Sequence, residues 1–112
     1  MVATILRHVM GRAEPDQQRV AFVSALRQQI GRALAEERYR FAEHFCDKLL
    51  AEEPRDIETW LVKGHLYWRC FSDPAAAVNC FRQVVILGGF ESSNECVARA
   101  RTSLERLLAQ MS

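Results

Sequence analysis

Apolar residues recur along this chain at intervals of three and four, the spacing that gathers them on one face of an α-helix. Val2, Ile5, Leu6, Val9 and Met10 open the pattern, opposite Arg7 and His8 and ahead of Gly11, which predicts a short amphipathic helix over 2–11. Pro15 suits the first turn of a second helix, whose stripe of Val20, Val23, Leu26, Ile30, Ala33 and Leu34 runs to about Glu36. A third helix is predicted from Tyr39 to Glu52, with Ala42, Phe45, Cys46, Leu49 and Leu50 on one side. Pro54 ends it, because proline cannot donate to the helix ladder and disfavours helix at the preceding residue. Asp56 can accept from the free N–H groups just after it, and opens a fourth helix to about Cys70. Asp73-Pro74 is a cap followed by a first-turn proline, starting a fifth helix lined by Ala77, Cys80, Phe81, Val84 and Val85 and stopped at Gly88-Gly89. Ser92 with Glu95 three residues on forms a capping box for a last helix. There Val97, Ala100, Leu104, Leu107, Leu108 and Met111 make the stripe, and Arg99, Glu105 and Arg106 the wet face. No period-two alternation is sustained, so the fold class is all-α, five or six helices joined by short turns.

Two helices joined across a turn as tight as Glu53–Asp56 must pack antiparallel and bury their facing stripes. The pattern also repeats: Leu26 and Trp60 stand 34 residues apart, as do Ile30 and Gly64, and Ala33 and Tyr67. That is the tetratricopeptide period, and between about residues 23 and 89 the chain resembles that family. Leu26, Ile30, Ala33, Tyr39, Ala42, Cys46, Leu49 and Pro54 follow the family pattern through a first unit. Trp60, Gly64, Tyr67, Ala77, Phe81 and Val84 follow it through a second, with one extra residue allowed in the Cys70–Asp73 turn. The chain departs from the pattern at Ile30, where a small residue is usual, at Lys63, where Leu is usual, and at Gly89, where Pro is usual. The last helix keeps the spacing but carries Arg99 and Thr102 in place of the small and aromatic residues. The resemblance implies antiparallel helix hairpins stacked as a short right-handed superhelix, with units at about 23–56 and 57–91 and a capping C-terminal helix at 92–111. Residues 15–112 would then form the repeat domain, and residues 1–14 an N-terminal helix or arm. Such a stack meets a physical need, since one helix pair cannot bury its stripe alone and the ends of an array need polar caps.

Length and composition agree with a single packed domain. Of 112 residues, 49% are hydrophobic and 26% charged. A formal net charge of +1 gives no global field towards nucleic acid or acidic membranes. Lys48 and Lys63 are the only lysines, so nearly all the positive charge is arginine, suited to ion pairs on helix faces or at interfaces. No apolar run reaches the ~18 residues of a membrane span, and no signal-peptide pattern opens the chain. The basic start without acids before Glu14 has some likeness to a mitochondrial transit peptide. It is not Ser-rich, however, and a helix packing on the domain or on a partner is the simpler expectation. Cys46, Cys70, Cys80 and Cys96 are widely spaced, with no C-x-x-C pair; small buried thiols in a reduced, cytoplasmic protein explain them better than a disulfide framework.

Nothing in the spacing points to catalysis, so the chain is expected not to be an enzyme and to need no cofactor or metal. His8, His44 and His65 fall on three helices, with no H-E-x-x-H pair and no nucleophile elbow. His44 and Cys46 are two apart on a helix and point to different faces. Glu36, Glu37, Glu52 and Glu53 sit at helix ends as solvated charges, and Gly88-Gly89 lacks the Lys and Ser or Thr of a phosphate loop. Binding is the better reading. In stacked hairpins the first helix of each pair lines the concave side. The resemblance then places Arg27, Gly31 and Leu34 from one unit, and Leu61, His65, Trp68 and Arg69 from the next, along a groove. Tyr67 and Trp68 are adjacent and cannot fill one core position: Tyr67 is the packing residue by the repeat, leaving Trp68 to the groove, or else Trp68 is covered by the first or last helix as core. A groove of Leu34, Leu61 and Trp68 rimmed by Arg27 and Arg69 suits an amphipathic helix or extended segment with acidic flanks. The family's clamp for a terminal carboxylate is not expected, since Gly31 and His65 stand where Asn would be needed.

The expected function is therefore to hold a helical or extended segment of a partner polypeptide. In size and plan the chain resembles the needle-subunit chaperones of type III secretion, which implies a secretion substrate as partner and a small helical co-chaperone. A general scaffold or adaptor in a multiprotein complex is the alternative. A helical-repeat RNA binder is a third, opposed by the near-neutral charge; no nucleic acid and no membrane insertion are expected.

Overall fold

The computed structural model describes residues 15–90 and 92–112. The helix expected over 2–11 lies outside them. Within them the chain is all helix and turn: α1 Pro15–Ala35, α2 Tyr39–Glu52, α3 Ile57–His65 running on into a wider turn Leu66–Cys70, α4 Pro74–Gly88 and α5 Glu95–Met111. The ends fall where local chemistry puts them. The Asp56 carboxylate accepts from the Thr59 N–H at 3.2 Å and from the Thr59 hydroxyl, and the Asp73 carboxylate accepts from the Ala76 N–H at 3.1 Å. At the end of α1 the Arg38 N–H reaches back to the Ala33 carbonyl, which requires a left-handed residue between helix and turn. Glu37 fills that place at φ 58°.

One cap differs from expectation. Asn94, in extended conformation, is the N-cap of α5 and accepts from the Cys96 N–H at 2.7 Å. Ser92 only accepts from the Asn94 N–H, one step further out. Glu95 is consequently the first residue of α5, too early to reach back as the acid of a capping box, and it pairs instead with Arg99 at 2.8 Å.

α2 packs against both α1 and α3, and α4 against both α3 and α5; α3 also meets α5 directly, whereas α1 reaches α3 through side chains, Arg27 to Asp56 among them. Two cores result. Val23, Leu26, Ile30 and Ala33 of α1 meet Ala42, Cys46 and Leu49 of α2, with Leu66 closing the end. Leu61, Ala77, Phe81, Val84 and Val85 meet Val97, Ala100 and Leu107 of α5. Each large side chain wholly buried there, such as Leu49, Phe81 or Leu107, contributes roughly 1.5–3 kcal/mol. The hairpins fill matching positions in opposite ways. The first has Ile30 on its leading helix and Cys46 on its second; the other has Gly64 and Phe81, and a Cβ on Gly64 would lie 2.5 Å from the Phe81 ring.

Two polar links tie the hairpins together. The Arg27 guanidinium forks onto Asp56 at 2.7 and 3.0 Å. Lys63, standing where the repeat would have Leu, runs beside the Trp60 and Tyr67 rings and reaches Asp47 of α2 at 2.6 Å. Its stem packs while its ammonium finds a partner, so a charged residue can occupy a position whose side chain is only 13% exposed.

The spacing between matching buried positions changes by one residue from the first helices of the two hairpins to the second. Ala42, Cys46 and Leu49 are fully buried, as are Ala77, Phe81 and Val84, 35 residues on; the leading helices keep a separation of 34. Between them the Phe71 N–H bonds the Leu66 carbonyl, five residues back, at 3.0 Å, the signature of a helix turn widened by one residue. The extra residue is thus absorbed in the last turn of α3, and the next turn closes through Ser72 at φ 51°.

Candidate functional site

The face formed by α1, α3 and α5 holds two shallow hollows. One, of about 200 Å³ between α1 and α3, is lined by Arg27, Ile30, Gly31, Glu58, Thr59 and Val62. Its charge is largely spent: Arg27 is bidentate to Asp56 and lies 3.9 Å from Glu58. The hydrogen bond to Asp56 raises the Arg27 pKa, against an opposing effect of burial. Burial by itself would lift the Asp56 carboxyl, but the hydrogen bonds from Arg27 and Thr59 outweigh it and hold Asp56 below the usual aspartate value.

The other hollow, of about 380 Å³ between α3 and α5, is lined by His65, Glu95, Ala98, Arg99, Thr102 and Ser103. His65 is half-buried, its ring edge-on to Phe81 at 5.1 Å and stacked near Trp68 at 6.2 Å. Burial first, and then the nearby Arg69 and Arg99 charges, push its pKa below the ordinary histidine value, favouring the neutral ring. Trp68 continues this wall. Its indole N–H donates to Gln110 at 3.3 Å, its edge meets Phe81, and the Arg69 guanidinium lies 4.0 Å from its ring centre.

The residues expected to line a groove are thus divided. His65, Trp68 and Arg69 come together beside α5, and Arg27 stands apart between α1 and α3. Leu34 is half-buried against the first core. Leu61, expected on the groove, is 7% exposed and belongs to the second core, because Phe81 and Val84 of α4 extend the buried arc of α3 as far as its position. Tyr67 packs as expected, half-buried against the second core, where burial and the nearby Glu43 carboxylate push its phenol pKa up. Trp68 is half-buried, packed on Phe81, bonded to Gln110 and carrying Arg69 over its ring.

Sequence reasoning missed Val62, Arg99, Thr102, Ser103 and Gln110. The available signal lay in α5: Arg99, Thr102, Ser103, Arg106 and Gln110 recur at three and four, a polar stripe beside the apolar one. Reading the last helix only as a cap hid it. Of the four cysteines, none forms a disulfide; Cys46 and Cys80 are buried and Cys70 is exposed. No group of three His, Cys, Asp or Glu side chains able to hold a metal occurs among the described residues, and none of their helices is long and apolar enough to cross a membrane.

Compared with protein-family models, with curated proteins and with solved structures, the chain matches none.

Proposed function

We propose that this chain is a protein-binding helical-repeat module, tetratricopeptide-like in plan, which receives a helical or extended segment of a partner polypeptide along α1, α3 and α5. The observation that carries this reading is the arrangement of the helices. α3 packs beside α5 and is joined to α1 by side chains, with a hollow on each side of it, while α2 bridges α1 to α3 and α4 bridges α3 to α5. A face of neighbouring helices with half-buried aromatic and arginine side chains offers anchoring pockets for one more helix or strand. The 34-residue spacing of the leading helices and the 35-residue spacing of the second helices support the repeat plan and its superhelical stacking. In its chaperone form, with a secretion substrate as client, the reading predicts that an aggregation-prone client stays soluble only while bound. In its adaptor form it predicts a long-lived complex.

The test is site-specific photo-crosslinking in native lysate. A photoreactive residue replaces Val62 on the α1/α3/α5 face in one variant, and Lys48 on exposed α2 in another. Discrete polypeptide adducts from position 62 and none from position 48 are expected. Equal adducts from both positions, none from either, or RNA in place of protein would overturn the proposal.

A further inference from the structure

The two hollows differ in charge, and the difference names the chemistry of the partner. Arg27, the basic group of the α1/α3 hollow, is already neutralised by Asp56 and Glu58. At the α3/α5 hollow the Arg99–Glu95 pair lines the wall and one further basic group, Arg69, stands beside it on Trp68. Arg99 has Glu95 as its one carboxylate partner, while Arg69 pairs with no carboxylate among the described residues. Arg69 is pinned on the Trp68 ring, which orders its long side chain before any partner arrives. At the floor, Ser103 is 7% exposed and makes no side-chain hydrogen bond among the described residues. Its hydroxyl is a donor left for an acceptor entering the hollow. Two guanidinium groups, a hydroxyl within reach of the hollow and an aromatic wall match a carboxylate carried on an apolar stem.

We infer that the α3/α5 hollow takes a Glu or Asp side chain from an acidic amphipathic segment of the partner, held by Arg69 and Arg99 with Ser103 beneath and Trp68 against its apolar face. This rests on the protein-binding reading and makes it selective. Acidic contacts form at the α5 end of the face, and not at Arg27. A polypeptide is favoured over RNA because the exposed basic groups at the hollow are two, Arg69 and Arg99, beside an acidic Glu95, too few to track a phosphate backbone.

The experiment uses three fluorescent probes: an amphipathic peptide of Leu and Glu, about 18 residues or five helical turns long, its Leu and Gln counterpart, and oligouridine. The Leu/Glu peptide is expected to bind about tenfold more tightly than the Leu/Gln peptide, the sum of two partly exposed ion pairs. The margin should shrink on raising salt. It should vanish in an Arg69→Gln, Arg99→Gln double variant and persist in Arg82→Gln, which alters an exposed residue on α4. Far-UV circular dichroism confirms that each variant is folded. Equal binding of the two peptides, a margin that survives the double variant, preference for oligouridine, or no binding of the Leu/Glu peptide would each overturn the inference. If crosslinking from position 62 still captures a polypeptide while the peptides bind alike, acid selectivity fails and the protein-binding reading stands. If the crosslinks are also silent, both fail.

Discussion

Adding one methyl group at Gly64 and one at Gly31 should change stability in opposite directions. Both glycines lie inside helices, where replacement by Ala gains up to about 1 kcal/mol from backbone propensity. At Gly31 a Cβ meets nothing within 4 Å, so that gain is realised in full. At Gly64 the new carbon would sit 2.5, 2.7 and 2.8 Å from three atoms of the Phe81 ring. Carbon atoms prefer roughly 3.5–4.0 Å, so the overlap is about 1 Å or more. Phe81 is fully buried, with His65 and Trp68 rings beside it, so its ring cannot swing out into solvent. Overpacking of this kind costs about 1–3 kcal/mol or more, which exceeds the propensity gain. The net expectation is a loss of about 1–2 kcal/mol for Gly64→Ala and a gain of up to about 1 kcal/mol for Gly31→Ala. In a domain of this size, thermal melting should move by about 4–8 °C per kcal/mol, down for the first and up for the second. Phe81→Leu destabilises by itself, but combined with Gly64→Ala it should recover part of the loss, a coupling that a double-mutant cycle measures. A Gly64→Ala variant as stable as the parent, or a cycle with no coupling, would refute the close packing of α3 on α4.

Two further outcomes rest on the ionisable groups. The folded Asp56 carboxyl has a depressed pKa, so its stabilisation is complete above the unfolded value of about 3.9 and disappears as pH falls through the folded one. Asp56→Asn should therefore flatten the acid limb of melting temperature against pH below about 4; Asp56→Ala should also cost about 1–2 kcal/mol at pH 7 through the lost cap. An unchanged acid limb would refute the assignment. Burial pushes the Cys46 thiol up to about 12 and the Cys80 thiol up to about 11. A thiol reagent at pH 8 should accordingly modify exposed Cys70 quickly and leave Cys46 and Cys80 intact until urea unfolds the chain; mass spectrometry of the labelled peptides decides.

Most helix ends were legible because their causes are local: Pro54, the carboxylates of Asp56 and Asp73, and Gly89, whose φ of 95° needs no side chain. The buried stripes were legible for the same reason, since period alone assigns them. What the sequence hid depends on neighbours far along the chain. Arg27 reads as a free rim charge until the fold brings Asp56 within reach to claim it. Leu61 reads as groove until α4 supplies Phe81 and Val84 against it. Lys63 looks like a flaw in the repeat until α2 brings Asp47 within reach. The polar stripe of α5 was written in the chain but had no meaning before His65 and Trp68 were placed opposite it.

The widened turn at Leu66–Cys70 stores length inside a helix, where most chains would lengthen a loop. Each residue added to or removed from a helix swings the downstream chain by about 100° relative to the upstream part. Trimming this turn by one residue would leave Gly64 and everything before it untouched, yet alter how α4 is presented to that glycine. The geometry by which Phe81 meets its opposite number is set, in that sense, by a counting rule further up the chain and by no contact of its own.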